Sequence, residues 1–130
     1  DSKVRLINKK KNDYKNKLLI FTLLLSGTNE IKKLNTKFRK KNKTTDVLSF
    51  PFYEKNILKQ KILKNKEIYL GDIIININKI KNKKNNLQFQ KEFNKLWIHG
   101  LAHLLGYKHK KIKDFESMDK LEKEYLGCIY

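Results

Sequence analysis

Short apolar runs alternate with lysine-rich stretches along the chain, and the spacing within each run predicts an element. Leu18–Leu25 (LLIFTLLL) is the longest run, and its length and β-compatible residues suit a buried strand with Ile20–Leu25 as its body. Ser26-Gly27-Thr28-Asn29 is turn chemistry. Thr28 or Asn29 can cap a helix Glu30–Phe38, in which Ile31, Leu34 and Phe38 recur at helical spacing. Lys40–Thr45 reads as a basic loop, and Val47–Phe50 as a short strand stopped by Pro51. Lys55–Lys66 is a charged excursion expected to protrude as a hairpin or loop. Ile68–Ile77 is an isoleucine-rich strand, where Gly71 permits close backbone approach and Asp72 is the one charge. After a solvated loop, Asn82–Asn86, a helix is expected from Gln88 to Leu105, with Phe93, Trp97, Gly100, Leu101 and Leu104 on its core face. Asp114–Leu126 reads as an amphipathic helix with Met118, Leu121 and Leu126 inward. At the amino end, Asp1–Lys17 is polar with scattered Val4, Leu6, Ile7 and Tyr14, and reads as an amphipathic first helix.

These elements predict an α+β fold: a small mixed β-sheet of about four strands with helices packed on one side. The 130 residues suit one domain, 1–130. No stretch approaches the ~20 apolar residues that span a bilayer. No cleavable signal pattern stands at the amino end, and the absence of an initiator Met leads us to expect a processed or truncated chain. Cys128 is the only cysteine, so there is no disulfide framework and a reducing, cytoplasmic setting is the easier reading. It reads as a packing thiol.

Charge changes the picture less than its size implies. Thirty-one Lys and Arg against 13 Asp and Glu give a net charge of +18, which invites a nucleic-acid partner. Yet Lys, Asn, Ile and Leu dominate the whole chain, the mark of an A+T-rich coding bias that inflates lysine everywhere. The arginines tell more, because only Arg5 and Arg39 occur. Arg39 stands between a predicted helix and a basic loop, where its planar fork could bind a phosphate through two parallel hydrogen bonds or join a surface ion pair.

The strongest chemical signal is His99-Gly-Leu-Ala-His103-Leu-Leu-Gly106-Tyr-Lys-His109, which holds all three histidines of the chain. His99 and His103, four apart, stack on one helix face and can reach one ion. Gly106 suits a left-handed helix end, a turn that would bring His109 back towards them. Three imidazoles leave a tetrahedral zinc with one open position, as in catalytic sites. Copper, iron and nickel also accept imidazole. The spacing is that of the extended metzincin signature, making the Gln88–Leu105 segment a zincin-like metal helix, but the Glu that serves those proteases as general base is here Gly100. Met118 invites comparison with the Met-turn of those proteases, yet its helical pattern reads as ordinary core.

HGLAHLLGYKH (His99–His109), LNTKFRKKNKTTDVLSFPF (Leu34–Phe52) and LGDIIIN (Leu70–Asn76) stand in the order of three motifs of the YbeY family, and the chain resembles that family from about Ile20 to Leu126. The resemblance implies a metal-dependent, single-strand-specific endoribonuclease of ribosomal RNA maturation and quality control, processing the 3′ end of small-subunit rRNA in the cytoplasm. It implies one zinc per chain on His99, His103 and His109, and carries the motif arginine onto Arg39 as the residue acting on phosphate. Lys40, Lys41 and Lys43 would steer the RNA backbone. Lys108 departs from the motif, which has Asp before the third histidine. A carboxylate there could orient a ligand and a lysine cannot. Against the family, the amino end looks short, with no counterpart of a first strand and one sheet edge left unpaired.

Other residues admit two readings. Asp72 is a buried helper of the site or a strand-end charge, Ser49 a substrate contact or a structural serine, and Asp46 a turn residue bonding backbone N–H groups. Two other functional classes remain in play: a zinc metallopeptidase, favoured by a carboxylate near the metal, and a non-catalytic ribosome-assembly factor that keeps zinc for stability.

Overall fold

The computed structural model describes residues 2–4, 17–42, 44–81, 84–107 and 112–129. Their order is β1 (Ser2–Val4), β2 (Leu18–Ser26), α1 (Thr28–Arg39), β3 (Val47–Pro51), α2 (Lys55–Lys64), β4 (Glu67–Asn76), a 3₁₀ turn (Ile77–Lys79), α3 (Asn86–Leu104) and α4 (Ile112–Ile129). The strands form one sheet in the order β1-β2-β4-β3. β2 and β4 run parallel, and the two outer strands pair antiparallel, so the sheet is mixed as expected.

β4 is the centre, and its unbroken isoleucine run explains why both faces need cover. Ile73 and Ile75 pack with Leu58 and Ile62 of α2, Ile98, Leu101 and Leu104 of α3, and Met118 and Leu121 of α4. Ile74 points the other way and joins Leu48 of β3 and Ile31 of α1. Helices therefore lie on both faces. The expectation of helices on one side fails because α1 folds over the back of the sheet.

Gly71 does what the sequence implied. Phe21 pairs with Gly71 whereas Ile20 pairs with Tyr69, so Leu70 is an extra residue in the ladder. Gly71 has φ +133°, and a Cβ there would overlap the carbonyl oxygen of Phe50. Only glycine lets β3 close against the bulge.

Three segments differ from the sequence reading. Ser2–Val4 is a strand, Ser2 opposite Phe21 and Val4 opposite Leu19, so this edge of β2 is paired after all. A three-residue strand is too short to carry a period in the sequence. Of the predicted first helix, residues 5–16 lie outside the described residues. Lys55–Lys64 is a helix rather than a loop or hairpin, because Leu58 and Ile62, one turn apart, both sink into the core. Finally, α1 is capped by Gly27, without a side-chain cap. Thr28 lies inside the helix with its hydroxyl turned to Asn76 instead.

That Asn76 is fully buried and ties three segments together. Its Nδ2 donates to Thr28 Oγ1 (3.2 Å), Thr44 Oγ1 (3.3 Å) and the Thr45 carbonyl (3.2 Å), and its Oδ1 accepts from the Asn78 amide (3.0 Å). The chain leaving α1 is thereby pinned to the end of β4. Lys40, in the left-handed region at φ 55°, turns the chain immediately after Arg39, which stands in the last turn of α1.

Candidate functional site

α3 ends in a Schellman turn, as Gly106 led us to expect. Gly106 has φ +95°, its amide donates to the His103 carbonyl (3.0 Å), and the Tyr107 amide reaches back to the Ala102 carbonyl (3.0 Å). The turn has a second consequence. It brings the Tyr107 carbonyl to 3.0 Å from His103 Nδ1. A carbonyl only accepts, so Nδ1 carries a proton, and in the neutral tautomer Nε2 is the nitrogen left to bind an ion. His99 is held in the same way from another element: its Nδ1 lies 2.6 Å from Glu122 Oε1 on α4.

The two Nε2 atoms therefore converge. They stand 3.3 Å apart, with the rings nearly perpendicular at 88°. Two ligands about 2.0–2.1 Å from one tetrahedral ion lie about 3.3–3.4 Å apart, so the pair fits such an ion without rearrangement. His109 and Lys108 lie outside the described residues, and among the described residues no group of three His, Cys, Asp or Glu forms a complete metal cage.

The pair is placed by Gly100. A Cβ on Gly100 would stand 2.7 Å from Ile73 Cγ2 and 3.1 Å from Ser49 Oγ, so α3 rests directly on the sheet at this residue. A carboxylate cannot occupy position 100, and the metzincin base is excluded by packing. Ser49, 3 % exposed, donates from Oγ to the Gly100 carbonyl (3.1 Å). It is a structural bridge between β3 and α3, not a surface group open to substrate.

The same Ser49 connects the histidines to Arg39. Arg39 Nη2 donates to the Ser49 carbonyl at 2.5 Å, and its guanidinium carbon lies 5.8 Å from the centre of the Phe50 ring. Arg39 is exposed, yet its fork is anchored at the sheet edge, two hydrogen bonds from the residue beside His99. Lys40 and Lys41 follow it, both exposed, while Lys43 lies outside the described residues.

Asp72 belongs elsewhere. It alternates with Ile73 and shares a face with Ile74, on the α1 side of the sheet, opposite α3. Its carboxylate accepts from the Tyr69 hydroxyl, which also bonds Thr22 Oγ1 (2.7 Å). Burial first, and the Asp72 bond second, hold the Tyr69 phenol above its ordinary pKa and hence neutral. Asp72 thus bonds Tyr69 and not the histidines, and it shares its face with Phe50, its register partner, on which Arg39 stacks.

Glu122 was missed. Its signal was a carboxylate inside an apolar stripe, four residues after Met118 and three before Tyr125, both buried. Beside the histidines a cleft of about 820 Å³ opens, lined by His103, Tyr107, the end of β3 and the first turns of α2.

Comparison with known proteins gives first the class and then the family. Curated relatives that bear the name "Endoribonuclease YbeY" match most of the chain. The protein of Pelagibacter ubique is 46 % identical over 115 residues, covering 87 % of this chain and 71 % of its own. That of Thermodesulfovibrio yellowstonii is 38 % identical, covering 85 % and 67 %, and that of Buchnera aphidicola subsp. Acyrthosiphon pisum 37 %, covering 94 % and 72 %. A solution structure of a Thermotoga maritima protein is 31 % identical over 82 % of this chain and 68 % of that one, with a TM-score of 0.44. The curated relatives define a class of RNA hydrolases. A family model described as "Endoribonuclease YbeY" matches residues 3–129, and the chain belongs to that family.

Proposed function

We propose that the chain is a zinc-dependent, single-strand-specific endoribonuclease that processes the 3′ end of small-subunit ribosomal RNA, in ribosome maturation and quality control. It works as one domain, 1–130, in the cytoplasm, with the small ribosomal subunit as partner. No helix among the described residues is long and apolar enough to cross a membrane. The observation that carries the reading is the convergence of two Nε2 atoms at 3.3 Å, each ring locked from behind by an acceptor on its Nδ1. His99, His103 and His109 are the proposed ligands of one zinc ion. When bound, the ion supplies a Lewis acid that polarises a phosphoryl oxygen and the attacking water.

The remaining work falls to the chain's own groups. Tyr107 and Glu122 keep the imidazoles in the ligand tautomer and orientation. Arg39, fastened to the Ser49 carbonyl by one N–H, keeps further donors for the phosphate and stabilises the charge that builds there. Lys40, Lys41 and Lys43 extend the positive field that draws the RNA backbone in. For the peptidase alternative, Gly100 leaves no room for the metzincin base, and the carboxylate that does stand near the histidines, Glu122, is engaged behind the ring by His99 Nδ1.

Incubation with a chelator followed by dialysis is expected to abolish cleavage of single-stranded RNA, and added zinc to restore it, while unstructured peptides remain uncut throughout. Cleavage of RNA that survives complete metal removal would overturn the proposal, and metal-dependent cleavage of peptides but not RNA would move it to the peptidase. Truncating the group behind His99 is expected to weaken the ion's hold: Glu122→Ala should lower zinc affinity by about 10- to 100-fold. Competition with a chromophoric chelator measures it, and an unchanged affinity would remove Glu122 from the site.

A further inference from the structure

Phe52 is 62 % exposed at the mouth of the cleft that His103 lines. Its backbone is nonetheless fixed, because its amide donates to the Leu70 carbonyl at 2.9 Å. Its ring meets Tyr53 at 4.8 Å and Tyr69 at 5.6 Å between centroids, both near right angles. The ring is thus oriented by its neighbours without being covered by them. A single exposed aromatic is ordinary on a protein surface. Here it is held rigidly, lines the cleft beside the histidine pair, and has cations interleaved with the rings around it. The Lys55 ammonium stands 6.0 Å from the Tyr107 ring centre and that of Lys61 5.8 Å from the Tyr53 ring centre.

Aromatic faces alternating with lysines are what a single-stranded nucleic acid requires: a π-surface for each unpaired base and a cation for each phosphate. We propose that the cleft is a nucleobase subsite, in which an unpaired base beside the phosphate at the histidine pair stacks on Phe52, while Lys55 and Lys59 hold the flanking phosphates. A paired base is already stacked on both faces and cannot enter, so the subsite selects single strands. The occupant is RNA rather than an apolar peptide segment because Lys55 and Lys59, against the single carboxylate Glu54, leave the cleft lining net positive. The inference deepens the RNA-hydrolase reading above and rests on it.

The test measures affinity and cleavage separately, on the zinc-loaded protein, with a labelled single-stranded RNA oligonucleotide for cleavage and its 2′-O-methyl analogue for binding. Phe52→Ala is expected to weaken binding by about tenfold or more, the order lost with one base–aromatic stack, with the cleavage defect carried mainly by KM. Phe52→Trp should restore the affinity. Replacing one nucleotide of the probe by an abasic residue should weaken parent binding at one position, and there the abasic loss and the Phe52→Ala loss should not add. Unchanged affinity in Phe52→Ala would overturn the subsite while leaving the nuclease reading intact, provided the parent cuts RNA. Equal losses for single-stranded and fully paired probes would also overturn it, because Phe52 would then act through the fold. A parent that binds the apolar peptide more tightly than RNA would overturn both readings.

Discussion

His103→Ala is expected to release the metal and abolish RNA cleavage, while the fold survives. The side chain supplies one of two convergent Nε2 atoms and is only partly buried, so its loss opens no large cavity in the core. What remains is His99 on its own α3 turn and the proposed His109, two ligands where a catalytic zinc takes three. Elemental analysis of protein purified without chelator should give one zinc per chain for the parent and close to none for the variant. Circular dichroism should leave the helical signal in place. Unchanged stoichiometry would mean that the ion, if present, lies elsewhere. The variant also serves as the control against a contaminating metal-free ribonuclease, because such a contaminant would keep cutting.

The second large effect is expected at Arg39. Arg39→Lys preserves the charge but not the fork. In the parent, one N–H is committed to the Ser49 carbonyl, and the rigid plane aims the others outward. A lysine ammonium has no such plane. It can take the guanidinium's place in the bond to the Ser49 carbonyl or turn to the phosphate, and in either case the pre-set geometry is lost. The cleavage rate should fall by about 10²-fold or more, the order lost with one preorganised electrostatic donor, or about 2.7 kcal/mol. RNA affinity and zinc content should change little, since many lysines hold the ground-state backbone. A variant that cleaves like the parent would return Arg39 to a structural tie across the sheet edge.

Particular residues show why some of the molecule was legible in its sequence. The isoleucine-rich run Ile68–Ile77 announced a strand, and its length bounded β4 closely. His99, His103 and Gly106 announced a helix and its end, because helical period and left-handed turn are local matters decided within about ten residues. α2 was less legible. Its ten residues carry only two buried apolar side chains among lysines, a stripe too thin to separate from a solvated loop until the core is seen to receive it. The single-sided sheet was an error of a different kind. The strand's apolar run did not say which helix would cover which face, because that is set by chain connection and not by pattern.

The site divides along the same line. The histidine pair and the absence of a proteolytic base at position 100 are properties of the sequence, since they depend on residue type and on spacing along one helix. The partners that make the pair work come from far along the chain. Glu122 reaches His99 from 23 residues away, and Ser49 meets the Gly100 carbonyl across 51. Asp72, a strand charge between two motifs, proved to serve the other face through a bond to Tyr69. Such pairings carry no period, because a single hydrogen bond between distant residues constrains only two side chains and leaves the intervening sequence free. The sequence alone therefore determined the chemistry on offer: a histidine pair at helical spacing, a lone arginine among lysines, and glycines where backbone must approach or reverse. Tertiary structure alone decided its arrangement, because bringing Glu122 and the Ser49 hydroxyl to α3, and the Arg39 guanidinium to the Ser49 carbonyl, requires the packing of α1, α3 and α4 on the sheet, which only the folded core enforces.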